Sequence, residues 1–154
     1  MSSLKEQLHT DLTAATKSRD AVTLGTLRMA LTAVSNKEVA GKEARTLSDD
    51  EVLAVLTSEA KKRKESIEAY QAAGREDLAA VEAAELAVLE RYLPAALSAE
   101  ELAALIAAAV SEAKASGMEG MKAMGAVMKT LQPQVTGRAD GSAVAAAVKA
   151  ALGA

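Results

Sequence analysis

The chain contains no cysteine, no phenylalanine and no tryptophan, and its only histidine is His9. Missing cysteine excludes disulfides, thiolate zinc sites and thiol nucleophiles. One imidazole cannot make a histidine-rich metal site. Aromatic residues reduce to Tyr70 and Tyr92, so any core is assembled from aliphatic side chains. Half of the 154 residues are hydrophobic, many of them alanine, and small side chains fill a core only where helices approach closely. Two prolines and nine glycines are few enough to leave long helices uninterrupted. The apolar stretch LAALIAAAV (102–110) is too short to span a membrane. The opening MSSLKEQLHTDL is polar and lacks the apolar segment of a signal peptide. The expectation is a soluble cytoplasmic protein without membrane contact.

A strong charge of one sign is also missing. The net charge is −3. Residues 1–97 carry 13 Lys and Arg against 16 Asp and Glu, and residues 98–154 carry 5 of each. Neither part has the basic excess of a protein that binds nucleic acid through its whole surface, and DNA is not expected as a partner. Any contact with nucleic acid would come from a local patch.

What is present is helical periodicity with punctuation. The pattern predicts an all-α protein of seven helices and no strands. The first helix, about 3–18, opens on Ser3-Leu4-Lys5-Glu6, a spacing that lets serine and glutamate cap each other's backbone amides. Leu4, Leu8, Leu12 and Ala15 form its stripe. The second, about 21–39, follows Asp20 as N-cap and carries Leu24, Leu27, Leu31 and Val34. The third, about 49–73, starts on a second capping box at Ser48 and ends at Gly74. Val52, Val55, Leu56, Ile67 and Tyr70 give it an apolar side. The fourth, about 76–92, is stopped by Pro94. The fifth, about 99–116, starts on a third box at Ser98. The sixth, about 119–131, presents Met121, Met124, Val127, Met128 and Leu131, and Pro133 is expected to end it. The seventh, about 141–152, presents Val144, Val148 and Leu152.

The stretch Leu93-Pro94-Ala95-Ala96-Leu97 divides this series. The expected domains are a four-helix, bundle-like part over 1–94 and a smaller three-helix part over 95–154. The second is near the lower size limit for an independent core and is expected to be the less stable.

Few stretches suggest chemistry. In Lys61-Lys62-Arg63-Lys64, successive residues point about 100° apart, so the run cannot make one patch. Glu59, Glu65 and Glu68 stand at ion-pair spacing, and a solvated, salt-bridged helix is the expectation, with a phosphate contact from part of the run as the alternative. Asp49-Asp50-Glu51 and Glu100-Glu101 sit in first helical turns, where the helix dipole favours acidic side chains. Glu82 and Glu85 share a face without a third ligand. No metal site, cofactor or catalytic residue is assigned. GMEGMKAMG (117–125) lacks the lysine-serine ending of a phosphate loop, and its methionines read as core.

One loop stands apart: Gly137-Arg138-Ala139-Asp140-Gly141, between the sixth and seventh helices. Structurally, Gly137 can supply a positive φ and Asp140 can cap the seventh helix, with Arg138 pairing with Asp140 or covering helix ends. Functionally, a helix N-terminus suits phosphate and Arg138 would add a two-pronged donor. From residue 118 onward there are four cations, Lys122, Lys129, Arg138 and Lys149, against two anions, Glu119 and Asp140.

Three stretches, TLRMALTAVSNKEV, EAKKRKESIEAYQAAGREDLAAVEAAELAVLERYLPAALSAEEL and MGAVMKTLQPQVTGRADGSAV, resemble the GatB/YqeY family in order and over nearly the whole chain, the stand-alone YqeY-like proteins most closely. The resemblance implies a four-helix part followed by a three-helix part. It also implies a non-catalytic, tRNA-associated accessory module similar to the tail of the B subunit of the glutamine-dependent tRNA amidotransferase. The matching loop makes Arg138, with Lys122, Lys129 and Lys149, the candidate RNA-facing residues, and Gly137, Asp140 and Gly141 the residues that shape the corner. A protein–protein adaptor for a synthetase or amidotransferase is the alternative, with the alanine-rich faces of the fifth and seventh helices as its docking surface. Carbon–nitrogen ligase activity with glutamine as amide donor comes with the family name only.

Overall fold

Three serine–glutamate pairs start three of the helices, and each does so in the same way. Ser3, Ser48 and Ser98 accept from the amides of Glu6, Glu51 and Glu101, whose carboxylates accept the serine amides in return. Two free amides per helix end are satisfied by a local exchange. In the computed structural model of the chain, which describes residues 3–153, the helices are α1 (Leu4–Ser18), α2 (Ala21–Glu38), α3 (Asp49–Ala72), α4 (Glu76–Glu90), α5 (Ala99–Ala115), α6 (Gly120–Val135) and α7 (Gly141–Ala151). The described residues contain no strand, and the protein is all-α. None of these helices is long and apolar enough to cross a membrane. The chain divides into two compact units, Met1–Leu93 and Pro94–Ala154.

In the first unit α3 lies along α4, α1 pairs with α2, and α2 also touches α3 and α4. The core is leucine-rich: Leu8, Leu27, Leu31, Leu47, Leu56 and Leu89 are buried, with Val34, Val52, Val55 and Val88 between them. Side-chain bonds tie the elements at the rim. Lys5 of α1 meets Glu38 of α2 at 2.8 Å, and Glu38 also accepts the Leu47 amide from the 39–48 loop. Asp49 accepts the first amide of α1, that of Leu4, at 3.0 Å. Arg45 forks onto Glu51 with bonds of 2.9 and 2.7 Å. The Tyr92 hydroxyl, just beyond α4, donates to Asp11 on α1. Burial and that carboxylate push the Tyr92 phenol well above its usual range.

The second unit is built from smaller pieces. Ile106, Ala109, Val110 and Ala113 on α5 meet Val127, Leu131 and Val135 on α6 and Val144 and Val148 on α7. All three helices contact one another.

Three expectations are corrected. Pro133 does not end α6, which runs on to Val135. Proline removes one donor and crowds the carbonyl four residues back. Here that carbonyl belongs to exposed Lys129, on the solvent side of the helix, and only half a turn of helix follows.

Arg63 is not solvated. It is 5% exposed, with Nη1 3.1 Å from the Glu59 carboxylate and Nε 3.2 Å from that of Glu85 on α4. The Nε–H is not aimed at Glu85, so that contact is an ion pair without hydrogen-bond alignment. Its neighbours Lys61, Lys62 and Lys64 are exposed as expected.

Met121 is not core. It is 85% exposed, and Met118 is exposed as well, whereas Met124 and Met128 pack on the second core. Met121 stands in the first turn of α6, outside the buried line of Ala123, Val127, Leu131 and Val135.

Candidate functional site

The corner between α6 and α7 is a tight turn whose conformation the sequence requires. Thr136 has φ −57° and ψ 123°, Gly137 has φ 74°, and the Arg138 amide donates to the Val135 carbonyl at 2.9 Å. These are the marks of a type II turn, which needs a positive φ at its third residue and so favours glycine there. Asp140 then caps α7 by accepting the Ala143 amide at 3.1 Å. Gly141 is the first residue of α7 and has no positive φ, and a Cβ there would meet nothing within 4 Å. The turn therefore depends on Gly137 and not on Gly141.

Arg138 is half-buried and anchored from both ends. Its Nε–H donates to the Ala95 carbonyl at 2.9 Å, and its own carbonyl accepts the Leu97 amide at 2.9 Å. Among the described residues the Nη1 and Nη2 atoms make no further hydrogen bond or ion pair. The guanidinium is thus held by one edge while its two-nitrogen fork is unengaged. No local pattern in the sequence signalled the Ala95 and Leu97 contacts, since they join positions more than forty residues apart.

The other candidate cations are exposed and do not converge with Arg138 on one point. Lys122 and Lys129 are seven residues apart on α6, which places them on one ridge about 10 Å apart along the axis. That ridge lies opposite the buried line of Ala123, Val127 and Leu131. Lys149 lies in the last turn of α7, eight residues or about 12 Å beyond its start. There it complements the negative end of the helix dipole. The geometry is a charged corner with an outlying basic ridge, able to touch an extended polyanion at separate points.

Elsewhere the acidic clusters have structural work. Asp49 caps α1 across helices, and Glu51 and Glu101 close capping boxes. Arg45 and the Ser48 amide hold the Glu51 carboxyl down at about 2. Among the described residues no group of three or more Asp, Glu or His side chains could hold a metal ion. His9 is exposed on α1. A shallow hollow at the end of the second unit away from the corner is bordered by Lys114, Met118, Glu119 and Leu152.

The class is therefore an all-helical protein of a four-helix and a three-helix unit, with a glycine-shaped, arginine-bearing corner in the smaller one. The family model described as Yqey-like protein matches residues 5–152, almost the whole chain, and the chain belongs to that family. No curated protein matches it.

Proposed function

We propose that the protein is a tRNA-associated accessory module without catalysis of its own, meeting RNA phosphate at the α6–α7 corner. The observation that carries this reading is the half-tethered Arg138. With Nε engaged by Ala95, the guanidinium plane is fixed before any ligand arrives, and Nη1 and Nη2 form the fork that matches two phosphate oxygens. The positive end of the α7 dipole starts at the same corner. Lys122 and Lys129 give an extended strand a second place to touch. The resemblance to the tail of the tRNA-dependent amidotransferase B subunit supports RNA over other polyanions.

The acidic balance of the chain limits the strength of this contact. Four phosphate contacts would give a slope of log affinity against log salt of about −3, since each contributes roughly 0.7 to 0.9. Binding would be visible at low salt and weak at physiological salt. The test is an electrophoretic shift with total tRNA at low ionic strength, repeated with Arg138→Ala. The variant is expected to bind more weakly, with the salt slope reduced by about one contact and little change in melting temperature. A large fall in melting temperature with unchanged affinity would make Arg138 purely structural and remove the corner as the RNA-facing surface.

A second reading, a protein–protein adaptor for a synthetase or amidotransferase, is favoured by one observation. Met118, just ahead of α6, and Met121, in its first turn, are both exposed, and methionine suits adaptable protein surfaces. Retention of a partner from lysate after ribonuclease treatment, lost on Met121→Ser, would favour this reading.

A further inference from the structure

Residues 94–98 belong to no helix. A segment of this kind needs partners for its backbone groups, and two of them are supplied by one residue. Arg138 gives its side-chain Nε–H to the Ala95 carbonyl and takes the Leu97 amide on its main-chain carbonyl. Leu97 also packs its side chain against the core of the three-helix unit. The segment accepts one bond and donates the other, at residues two apart, so it is held in register as well as in place. Pro94 precedes it with a fixed φ and no amide to satisfy.

We infer that Arg138 is a latch through which phosphate bound at the corner orders the segment ahead of α5. The inference rests on the reading that this corner meets RNA. Its physical basis is the division of labour within one planar group. The Ala95 carbonyl uses Nε, and a phosphate would use Nη1 and Nη2, so the two acceptors do not compete. Fixing the guanidinium plane by either one removes the cost of fixing it for the other. Coupling of this kind is reciprocal: the factor by which phosphate tightens the latch equals the factor by which the latch tightens phosphate. Unlatched, residues 94–97 could extend up to about 13 Å. Latched, Ala95 stays within one hydrogen bond of the corner. Pro94 is thereby a positioning residue: it touches no ligand, but its ring limits the conformations the segment gains when it lets go.

The experiment uses the full chain and total tRNA at low salt. Amide hydrogen exchange is read at Leu97, whose N–H is bonded to the Arg138 main-chain carbonyl and so reports how firmly the segment carrying Ala95 is attached to the corner. In the free protein Arg138→Lys keeps the charge but loses the Nε–H, and Leu97 exchange is expected to speed up while far-UV circular dichroism stays unchanged. With saturating tRNA the natural chain is expected to slow at Leu97 by about five-fold or more, the lower end of ordinary site coupling. Pro94→Gly is expected to weaken tRNA affinity roughly two- to five-fold with the salt slope unchanged, because no phosphate contact is lost. A purely structural role for Pro94 would lower melting temperature and leave affinity alone. If tRNA binds and Leu97 exchange does not slow, the latch is overturned while the RNA reading stands. If no tRNA binds at low salt, the RNA reading fails and the coupling falls with it, even where Arg138→Lys still loosens Leu97.

Discussion

The two units solve the same problem, packing helices without large aromatic side chains, by different means. The first buries six leucines and knits its helices with long charged side chains: Lys5 to Glu38 and Arg45 to Glu51 at the rim, and buried Arg63 to Glu59 and Glu85. The second buries mainly valine and alanine, with Leu131 its only leucine in the fully buried set, and closes its corner with backbone geometry at Gly137. Small side chains bury less area each, and each buried CH₂ contributes about 0.8 kcal/mol. A three-helix unit near the lower size limit for an independent core therefore depends more on each turn and cap. The lesson is that helix count and capping do not fix how a unit is held. The size of the buried side chains decides whether ion pairs or turns carry the remaining burden.

The largest expected effect tests the ion-pair side of this contrast. Arg63→Ala removes a buried guanidinium and leaves Glu85 without its cation, while Glu59 keeps Lys62 at 3.0 Å, and should cost about 3 to 5 kcal/mol. Chemical denaturation should show the loss in the first unit. A cost below about 1 kcal/mol would mean that the network is solvated and that the units do not differ in this respect.

Leu131→Ala probes the other side. Removing the largest fully buried side chain of the second core should cost about 3 kcal/mol. The amides of α5 to α7 are then expected to exchange much faster while those of α1 to α4 keep their protection. Equal acceleration in both units would show that they unfold as one.

Gly137→Val should cost about 1 to 3 kcal/mol, because a β-branched residue at positive φ strains the turn. Gly141→Ala should be neutral or slightly stabilising, since its backbone is helical and its surroundings are open. The melting temperatures of the two variants relative to the natural chain separate turn geometry from a general sensitivity of the corner.

The smallest effect is acid dependence in the first unit. Glu51 is held near 2 against an ordinary value of 4.5, first by Arg45 and then by the Ser48 amide. A depressed carboxyl contributes stability above its unfolded value and loses that contribution as pH falls from about 4.5 towards 2. An NMR titration of the Glu51 carboxyl should show the low midpoint, and Arg45→Ala should raise it. A midpoint unmoved by that change would leave the capping serine as the sole cause.

Much of this architecture is legible in the sequence because it is local. Ser48 and Glu51 are three residues apart, as are Ser3 and Glu6, so each box is readable without knowing the fold. Asp20 and Asp140 were readable as N-caps for the same reason. What escaped depends on distant parts of the chain. Burial of Arg63 requires Glu85 to arrive from α4. Exposure of Met121 follows from its place in the first turn of α6, since Met128, seven residues on and on the same ridge, packs on the core. Helical spacing alone does not say how far along the helix the core reaches. Pro133 is a matter of position: deep in a helix it would break it, but two residues before the last residue of α6 it costs one bond. At the candidate site the roles of Gly137 and Asp140 were visible, being turn chemistry. The grip of Arg138 on Ala95 was not, because no periodicity links a corner to a segment forty residues earlier.

The Tyr92–Asp11 bond carries a consequence for observation. Both tyrosines, Tyr70 in α3 and Tyr92 beyond α4, lie in the first unit, and the chain has no tryptophan. The second unit is therefore silent in ultraviolet emission and in near-ultraviolet absorbance. A carboxylate hydrogen-bonded to a phenol quenches its fluorescence, so opening of the first unit should appear as brightening at Tyr92. Far-ultraviolet circular dichroism weighs all seven helices. Heating one unlabelled sample while following both signals gives two melting curves, and the gap between them measures the second unit without adding a probe.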